Sequence, residues 1–420
     1  MWLYIHRPFE VWPIFGTIRL ELCYVIFAII AWVAISAKTW TSNQNNLALC
    51  FVAFSITIST LLSPYSGFGD NLATEKWFKV FLFFLLLMSS VSTEKDIKVL
   101  VTGFTICFTI YMLHSYREFL GGKFVYRMGT VRMVGVDASM NDPNSFGASI
   151  NYAVCLLLPL LALAKEIKDK KWKRNTYLFC ALSFCLSVLC IQLTGSRSSF
   201  AALVVSLAGL AMMSKHRFRI LAMFLIACPI VWFSLTENLQ NRYRSIWDPS
   251  YGTENAQTFE DRTTAGLYGG IAVWQDNMIF GVGPGCYVMA GTSAHQTHQL
   301  YGQILSELGS LGALAYLTLV FAVLLNHLDA HLLYNRMKSL NRENEALYLY
   351  RVSFGVTWAI VLLLMLGMGA HSAFRFTWIW YAAFQAISVE LLRQKVDATV
   401  KADRMLKYDL RIKDQTKRAA

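Results

Sequence analysis

"KEIKDKKWKRNTYLFCALSFCLSVLCIQLTGSRSSFAAL", residues 165–203, holds the reading that decides the fold. Residues 165–175 are rich in lysine and arginine. Residues 176–194 form an apolar run of the length, about 17–20 residues, that crosses a bilayer as helix. The run ends at Gly195, reverses through Ser196, Arg197 and Ser198, and a second apolar run begins at Ser199. A span entered from a basic loop and left through a tight turn into another span marks a polytopic membrane protein. By the positive-inside bias the basic loop is cytoplasmic and the turn faces outward.

The pattern extends along the chain. Of 420 residues, 55% are hydrophobic and 15% charged, with mean hydropathy +0.43, too little polar surface to keep a soluble domain of this length dispersed. Apolar runs predict spans near 19–37, 45–62, 77–92, 97–113, 146–164, 176–194, 199–213, 220–236, 299–325, 351–369 and 376–392. The expected fold class is all-α: a polytopic transmembrane helical bundle of about 11–12 spans, one integral membrane domain over 1–420. Residues 165–175, 214–219, 326–350 and a basic tail, 393–420, fall on the cytoplasmic side. Segments 114–145 and 237–298 face outward. Within the long loop 237–298, residues 263–280 have helical apolar spacing, with Leu267, Ile271 and Trp274 on one face, and 281–287 supply a glycine–proline turn. Residues 6–20 are too charged and proline-broken to span, and Trp12 and Phe15 suit an interface.

The net charge of +12 sits in the short loops and the tail, so it calls for no nucleic-acid partner. His6, Arg7 and Pro8 follow Met1 with no apolar core between, which argues against a cleavable signal peptide. Cysteines 23, 50, 107, 155, 180, 185, 190 and 228 lie in apolar runs, leaving Cys286 as a lone loop thiol expected to be exposed. Neither a disulfide framework nor a zinc site is suggested. The pair His295/His298 has no identifiable third ligand, so no metal site is expected.

Chemistry-bearing residues gather at the outward edges. In "AHQTHQLYGQILSELGSLG" (294–312), Gln299, Gln303 and Glu307 follow at i, i+4 and i+8, a polar stripe that must face the bundle interior or a wet cavity. His298 opens this helix, where the positive dipole end keeps an imidazole neutral and able to accept a proton. The bland alternative is an interfacial histidine and a glutamate paired for packing. Arg197, with Gly195, Ser196 and Ser198, joins backbone N–H groups to a guanidinium, a combination suited to a diphosphate. Its competitor is an arginine snorkelling to headgroups, although outward positive charge runs against the topological bias. Arg262 opens the 263–280 helix, whereas Arg242 and Arg244 read as headgroup or loop-packing residues. His371 and Arg375 are second-tier candidates. Asn141–Asn144 reads as a turn and helix N-cap.

In this order, "NDPNSFGASINYAVCLLLPLL", "TGSRSSFAAL", "DRTTAGLYGGIAVWQDNMIFGVGPGCY" and "HQLYGQILSELGSLG" resemble the motifs of the O-antigen ligase and polymerase superfamily of bacterial membrane glycosyltransferases. The resemblance spans roughly residues 140–312 and departs at Gln299, where the family has asparagine. It implies a GT-C-like bundle with a periplasmic loop at 237–298, in the bacterial inner membrane, its site facing the periplasm and its C-terminus cytoplasmic. The implied reaction moves a glycan from a polyprenyl (undecaprenyl) diphosphate to an acceptor hydroxyl, lipid A-core or another glycan or protein, with inversion and with no metal or cofactor. His298 would be the base or positioning group, and Arg197 and Arg262 would stabilise the leaving diphosphate. Ser196, Gln299 and Gln303 would contact substrate. Glu307 is about 13 Å along the helix from His298 at 1.5 Å per residue and would order the bundle beneath. An O-antigen ligase is the leading expectation, with polymerase and protein O-glycosylation ligase as alternatives. A flippase, or a structural partner without catalysis, lies outside the class; charges concentrated at outward edges argue against transport.

Overall fold

The computed structural model describes the chain except residues 35–37, 66–76, 128, 214–216, 246, 252–257, 291–295 and 420 and most of 219–234; the side chains of 213, 249, 258–264 and 407–419 also lie outside the description. The span expected at 220–236 falls mostly outside the described residues. Short helices α1 (Trp2–His6), α2 (Pro8–Val11) and α3 (Pro13–Thr17) open the chain. Pro8 and Pro13 each start a new helix, where a missing N–H costs nothing. Then come α4 (Leu20–Ala34), α5 (Gln44–Leu61), α6 (Phe78–Ser90) and α7 (Glu94–Leu120), followed by α8 (Pro143–Val154), α9 (Leu157–Glu166), α10 (Lys170–Thr194) and α11 (Arg197–Met213). Beyond these lie α12 (Glu237–Arg244), α13 (Thr258–Asp276), α14 (Leu300–Ser339), α15 (Glu343–Gly367) and α16 (Phe376–Ala419). The all-α bundle follows the expected order. Among the described residues, six helical segments are long and apolar enough to cross a membrane: α5, α7, α8 with α9, α10, α14 and α15.

The break between α8 and α9 has a local cause. Pro159 offers no N–H to the carbonyl of Cys155, and the helix turns there. Gly355 lets α15 approach that carbonyl, since a Cβ there would stand 2.6 Å from it. At the centre runs α16, where Trp378–Val389 is buried on every side and packs on α5, α6, α7, α14 and α15. Gln385 is tolerated there because its amide is shared out. Its Nε2 donates to Thr357 Oγ1 (2.9 Å) and the Val323 carbonyl (3.1 Å), while its Oε1 accepts from Asn45 (3.0 Å). Buried polar groups in a membrane bundle need such pairing.

Several elements depart from the sequence reading. Helix α7 continues to Leu120, past the expected end at 113. Strands β1 (Phe124–Arg127) and β2 (Thr130–Met133) form an antiparallel hairpin in the 114–145 segment, where the sequence reading placed no element. Helix α16 continues past the expected span end at 392 through the basic tail to Ala419. Cys286 is fully buried, not exposed. On α13 the packed face is Gly266, Gly270 and Val273, while Leu267, Ile271 and Trp274 are only half-buried. Glycine wins that face because α14 lies very close: a Cβ on Gly270 would meet the Gly302 Cα at 2.5 Å.

Helix α14 is itself broken at Gly309, whose φ of 67° and ψ of −164° suit essentially glycine alone. The broken turn is patched by the turn after α13. Val282 N–H donates to the Ser306 carbonyl (2.9 Å) and Gly283 N–H to that of Glu307 (3.0 Å); Ser310 and Leu311 N–H donate to the carbonyls of Met278 (2.8 Å) and Ile279 (3.1 Å). A membrane helix can break only where its backbone groups find such partners. The glycine–proline turn is this partner.

Candidate active site

The starts of α8, α11, α14 and α16 and the ends of α10 and α15 come together at one end of the bundle, linked by the contacts below. The opposite end carries basic residues in ion pairs: Lys98 with Glu166 (2.6 Å) and Glu94 (2.7 Å), and Lys395 with Glu94 (2.7 Å).

Arg197 is the first residue of α11, half-buried, and donates to Ser245 Oγ at 3.1 Å. Ser196 is wholly buried; its hydroxyl lies 3.4 Å from the Ser199 N–H, in the position of an N-cap. Two further arginines hold this turn: Arg132, which the sequence reading passed over, and Arg242, which it read as a headgroup or loop-packing residue. Arg242 donates from Nε to the Gly195 carbonyl (2.6 Å). Arg132, on β2 and only 2% exposed, donates to the Thr194 carbonyl (2.7 Å) and to Asn144 Oδ1 (2.9 Å). The Ser–Arg turn and the start of α8 are therefore bolted together by one guanidinium. Burial, and then the neighbouring Arg242, push the Arg132 pKa down to about 9, with Asp142 opposing. Burial, and then Arg197, push Arg242 down to about 10. Both stay protonated near neutral pH. Guanidinium groups held this close to one another form a ready seat for a polyvalent oxyanion. The signal that could have found Arg132 and Arg242 was the one used for Arg197: positive charge on the outward side.

His298 is exposed and stands just before Gln299, the N-cap of α14. The Gln299 side-chain oxygen accepts from Gly302 N–H, so that oxygen serves the helix cap. Gly266 packs on this segment: Thr297 Oγ1 donates to its carbonyl at 3.0 Å. Arg262 stands on α13 about one turn before Gly266, and its side chain lies outside the described residues. Across from His298 is His371, their ring centroids 5.5 Å apart. Arg375, in the same turn, donates to Ser149 Oγ (2.8 Å) and the Ser145 carbonyl (3.3 Å) of α8. A continuous set of contacts thus runs from the His298–His371 pair through Arg375 and α8 to Arg132 and the Ser–Arg turn.

Gln299, Gln303 and Glu307 do share one inward face, at 3%, 5% and 0% exposure. Gln303 bridges: its Nε2 donates to Glu307 Oε2 (3.2 Å) and its Oε1 accepts from Ala373 N–H (3.2 Å). Glu307 sits at the helix break, where the Gly285 and Tyr287 amides approach its carboxyl group. Gln303 therefore reaches the turn that carries His371 and Arg375, and Glu307 is joined to that turn only through Gln303. Among the described residues no group of His, Cys, Asp and Glu could hold a metal ion.

Residues 182–317 match the family model described as O-antigen ligase. The match takes in the Ser–Arg turn, α12, α13, the glycine–proline turn, His298 and the broken start of α14; the Asn–Asp–Pro–Asn stretch, Arg132 and His371 lie outside it. No curated protein matches the chain.

Proposed function

We propose that this multi-pass membrane protein, a member of the O-antigen ligase superfamily through residues 182–317, works as an O-antigen ligase: it transfers a glycan from a polyprenyl diphosphate to an acceptor hydroxyl at the periplasmic face. Membership supports a membrane glycosyltransferase of the ligase or polymerase type with lipid-linked glycan and acceptor partners. The observation that carries the finer reading is the arginine cluster around the Ser–Arg turn, Arg132, Arg197 and Arg242, at the same end of the bundle as His298. Breaking a sugar–diphosphate bond needs positive charge on the leaving group, and preorganised guanidinium groups supply it without a metal ion. Arg197 and Arg242 would meet the diphosphate, and Arg262 is proposed as a further ligand on its sequence pattern alone. Arg132 is too deeply buried for direct contact and holds the turn in place.

His298 would take the proton of the acceptor hydroxyl as it attacks the anomeric carbon, and direct displacement inverts that carbon. The lysine- and arginine-rich end of the bundle is then cytoplasmic and the site end periplasmic, in the inner membrane. The test is a surface-glycan gel with lipid-carrier analysis in a host lacking the chain, complemented with wild type, His298→Ala or Arg197→Ala. Long glycans stranded on the carrier, cleared by wild type and by neither variant, support the ligase. Loss of long chains with single capped repeats would instead mean a polymerase, and loss of glycan from protein alone an O-glycosylation ligase. Equal complementation by all forms would refute a catalytic role for His298 and Arg197.

A further inference from the structure

We propose that His371 is the positioning partner of His298: its ring accepts the N–H of His298 and so turns the other ring nitrogen of His298 toward the acceptor hydroxyl. The inference rests on the glycosyl transfer proposed above and adds a residue outside the family-matched segment.

The geometry comes from two separate elements. His298 immediately precedes the α14 cap, and His371 lies in the turn between α15 and α16. Their centroids are 5.5 Å apart with the rings inclined at 47°. Elsewhere in the molecule, His6 and His114 have centroids 4.9 Å apart and ring nitrogens 2.9 Å apart, so imidazoles at this kind of separation can share a hydrogen bond. The turn carrying His371 is tied down on the side that follows it. Ser372 receives Trp378 Nε1–H at its carbonyl (3.1 Å), Ala373 N–H donates to Gln303, the Ala373 carbonyl accepts from the Tyr316 hydroxyl, and Arg375 is fixed to α8. Such anchoring is what a positioning residue needs.

The electrical setting fits. The protein mass around His371 is the largest influence lowering its pKa, to about 4, although the residue keeps a solvent-open face; Arg375 and then His298 lower it further, and Asp142 opposes them. His371 is thus neutral near pH 7 and presents a lone pair. In the transfer step the acceptor oxygen bonds to the anomeric carbon while the carbon–oxygen bond to the diphosphate breaks, its electron pair leaving on the diphosphate oxygen. The hydroxyl proton passes to His298, and the resulting imidazolium keeps its second N–H on His371. This is the logic of a base oriented by a third group.

The experiment uses the full chain in nanodiscs, a synthetic short-chain polyprenyl-diphosphate oligosaccharide as donor, and membranes from the host lacking the chain as acceptor. His371→Phe keeps the shape but no acceptor; His371→Asn keeps one. The expected result for His371→Phe is a fall in kcat of roughly 10-fold or more, little change in KM, and an acid limb of the pH profile moved to lower pH. His371→Asn should recover part of both. Unchanged kcat and acid limb in His371→Phe would overturn the proposal. Full activity of His298→Ala would instead remove the reading beneath it. Nitrogen-15 histidine NMR of the wild type adds a measurement independent of any variant's folding. A single His298 tautomer sharing its proton with His371 is expected; two equally populated tautomers would overturn the pairing.

Discussion

Gly309→Ala is the sharpest probe of how α14 is built. The backbone there has φ 67° and ψ −164°, a region that costs a non-glycine residue of order 1–3 kcal/mol. The added Cβ would also stand 2.4 Å from the Ile279 carbonyl oxygen and 2.5 Å from its carbon. Those are backbone atoms of the segment that patches the break, so no flexible side chain can yield. Overpacking of that kind adds about 1–3 kcal/mol, and the two effects together come to roughly 2–6 kcal/mol. Gly103→Ala is the matched control: it lies within α7 with nothing within 4 Å of a Cβ, where alanine gains about 0.5–1 kcal/mol of helix propensity. Unfolding in nanodiscs, by heat or by titrated denaturing detergent, should rank Gly309→Ala well below wild type and Gly103→Ala level with or above it. A Gly309→Ala protein as stable as wild type would refute the claim that the break is a fixed feature.

Other perturbations read other parts of the assembly. Arg132→Met leaves the Thr194 carbonyl and Asn144 Oδ1 without their donor. It should cost about 1–3 kcal/mol for each bared acceptor and slow glycan transfer, measured by melting temperature beside the gel assay. Gln303→Leu removes the bonds to Ala373 and Glu307, so amide hydrogen exchange in 370–375 should quicken while 143–154 stays unchanged. The lowered pKa of His371 gives a sign for pH. The folded value is about 4 against 6.5 for an unperturbed ring, so between those values the unfolded chain binds a proton that the folded chain refuses. Stability from this group falls as pH drops through that window and is level above it. His371→Asn should therefore lose less melting temperature than wild type between pH 7 and pH 5.

The spans were legible because length and apolarity alone define them, and α5, α7, α10 and α15 appear where the runs lie. What joins them was not. Gly302 and Gly309 look alike in the sequence, each a glycine in an apolar helix. One is a close contact with α13 and the other a break, and only the partner segment 278–283 decides which. The β1–β2 hairpin was missed because attention to long apolar runs passes over short strands. Its signal, β-branched and aromatic residues (Val125, Tyr126, Thr130 and Val131) on either side of Gly129, is present in "FVYRMGTVRM". Arg197 was found because a turn drew attention to it. Arg132 and Arg242 also lie in segments read from the sequence as outward, but they act through a fold that brings distant segments to Gly195. Cys286 was expected to be exposed because its neighbours are turn formers, yet that turn is folded into the bundle against α14.

The break in α14 also bears on how the chain enters its membrane. In an unbroken helix, Ser310 and Leu311 would bond back to Ser306 and Glu307. The finished protein exchanges those two bonds for four, all made with residues 278–283. Those residues precede α14 in the chain, so they have already been synthesised when α14 is made. The helix can thus be inserted as a straight rod with no bare carbonyl facing lipid. It can fracture afterwards, when the waiting turn docks. Insertion and site assembly become separable events, and Gly309 is the point at which the second is spliced into the first.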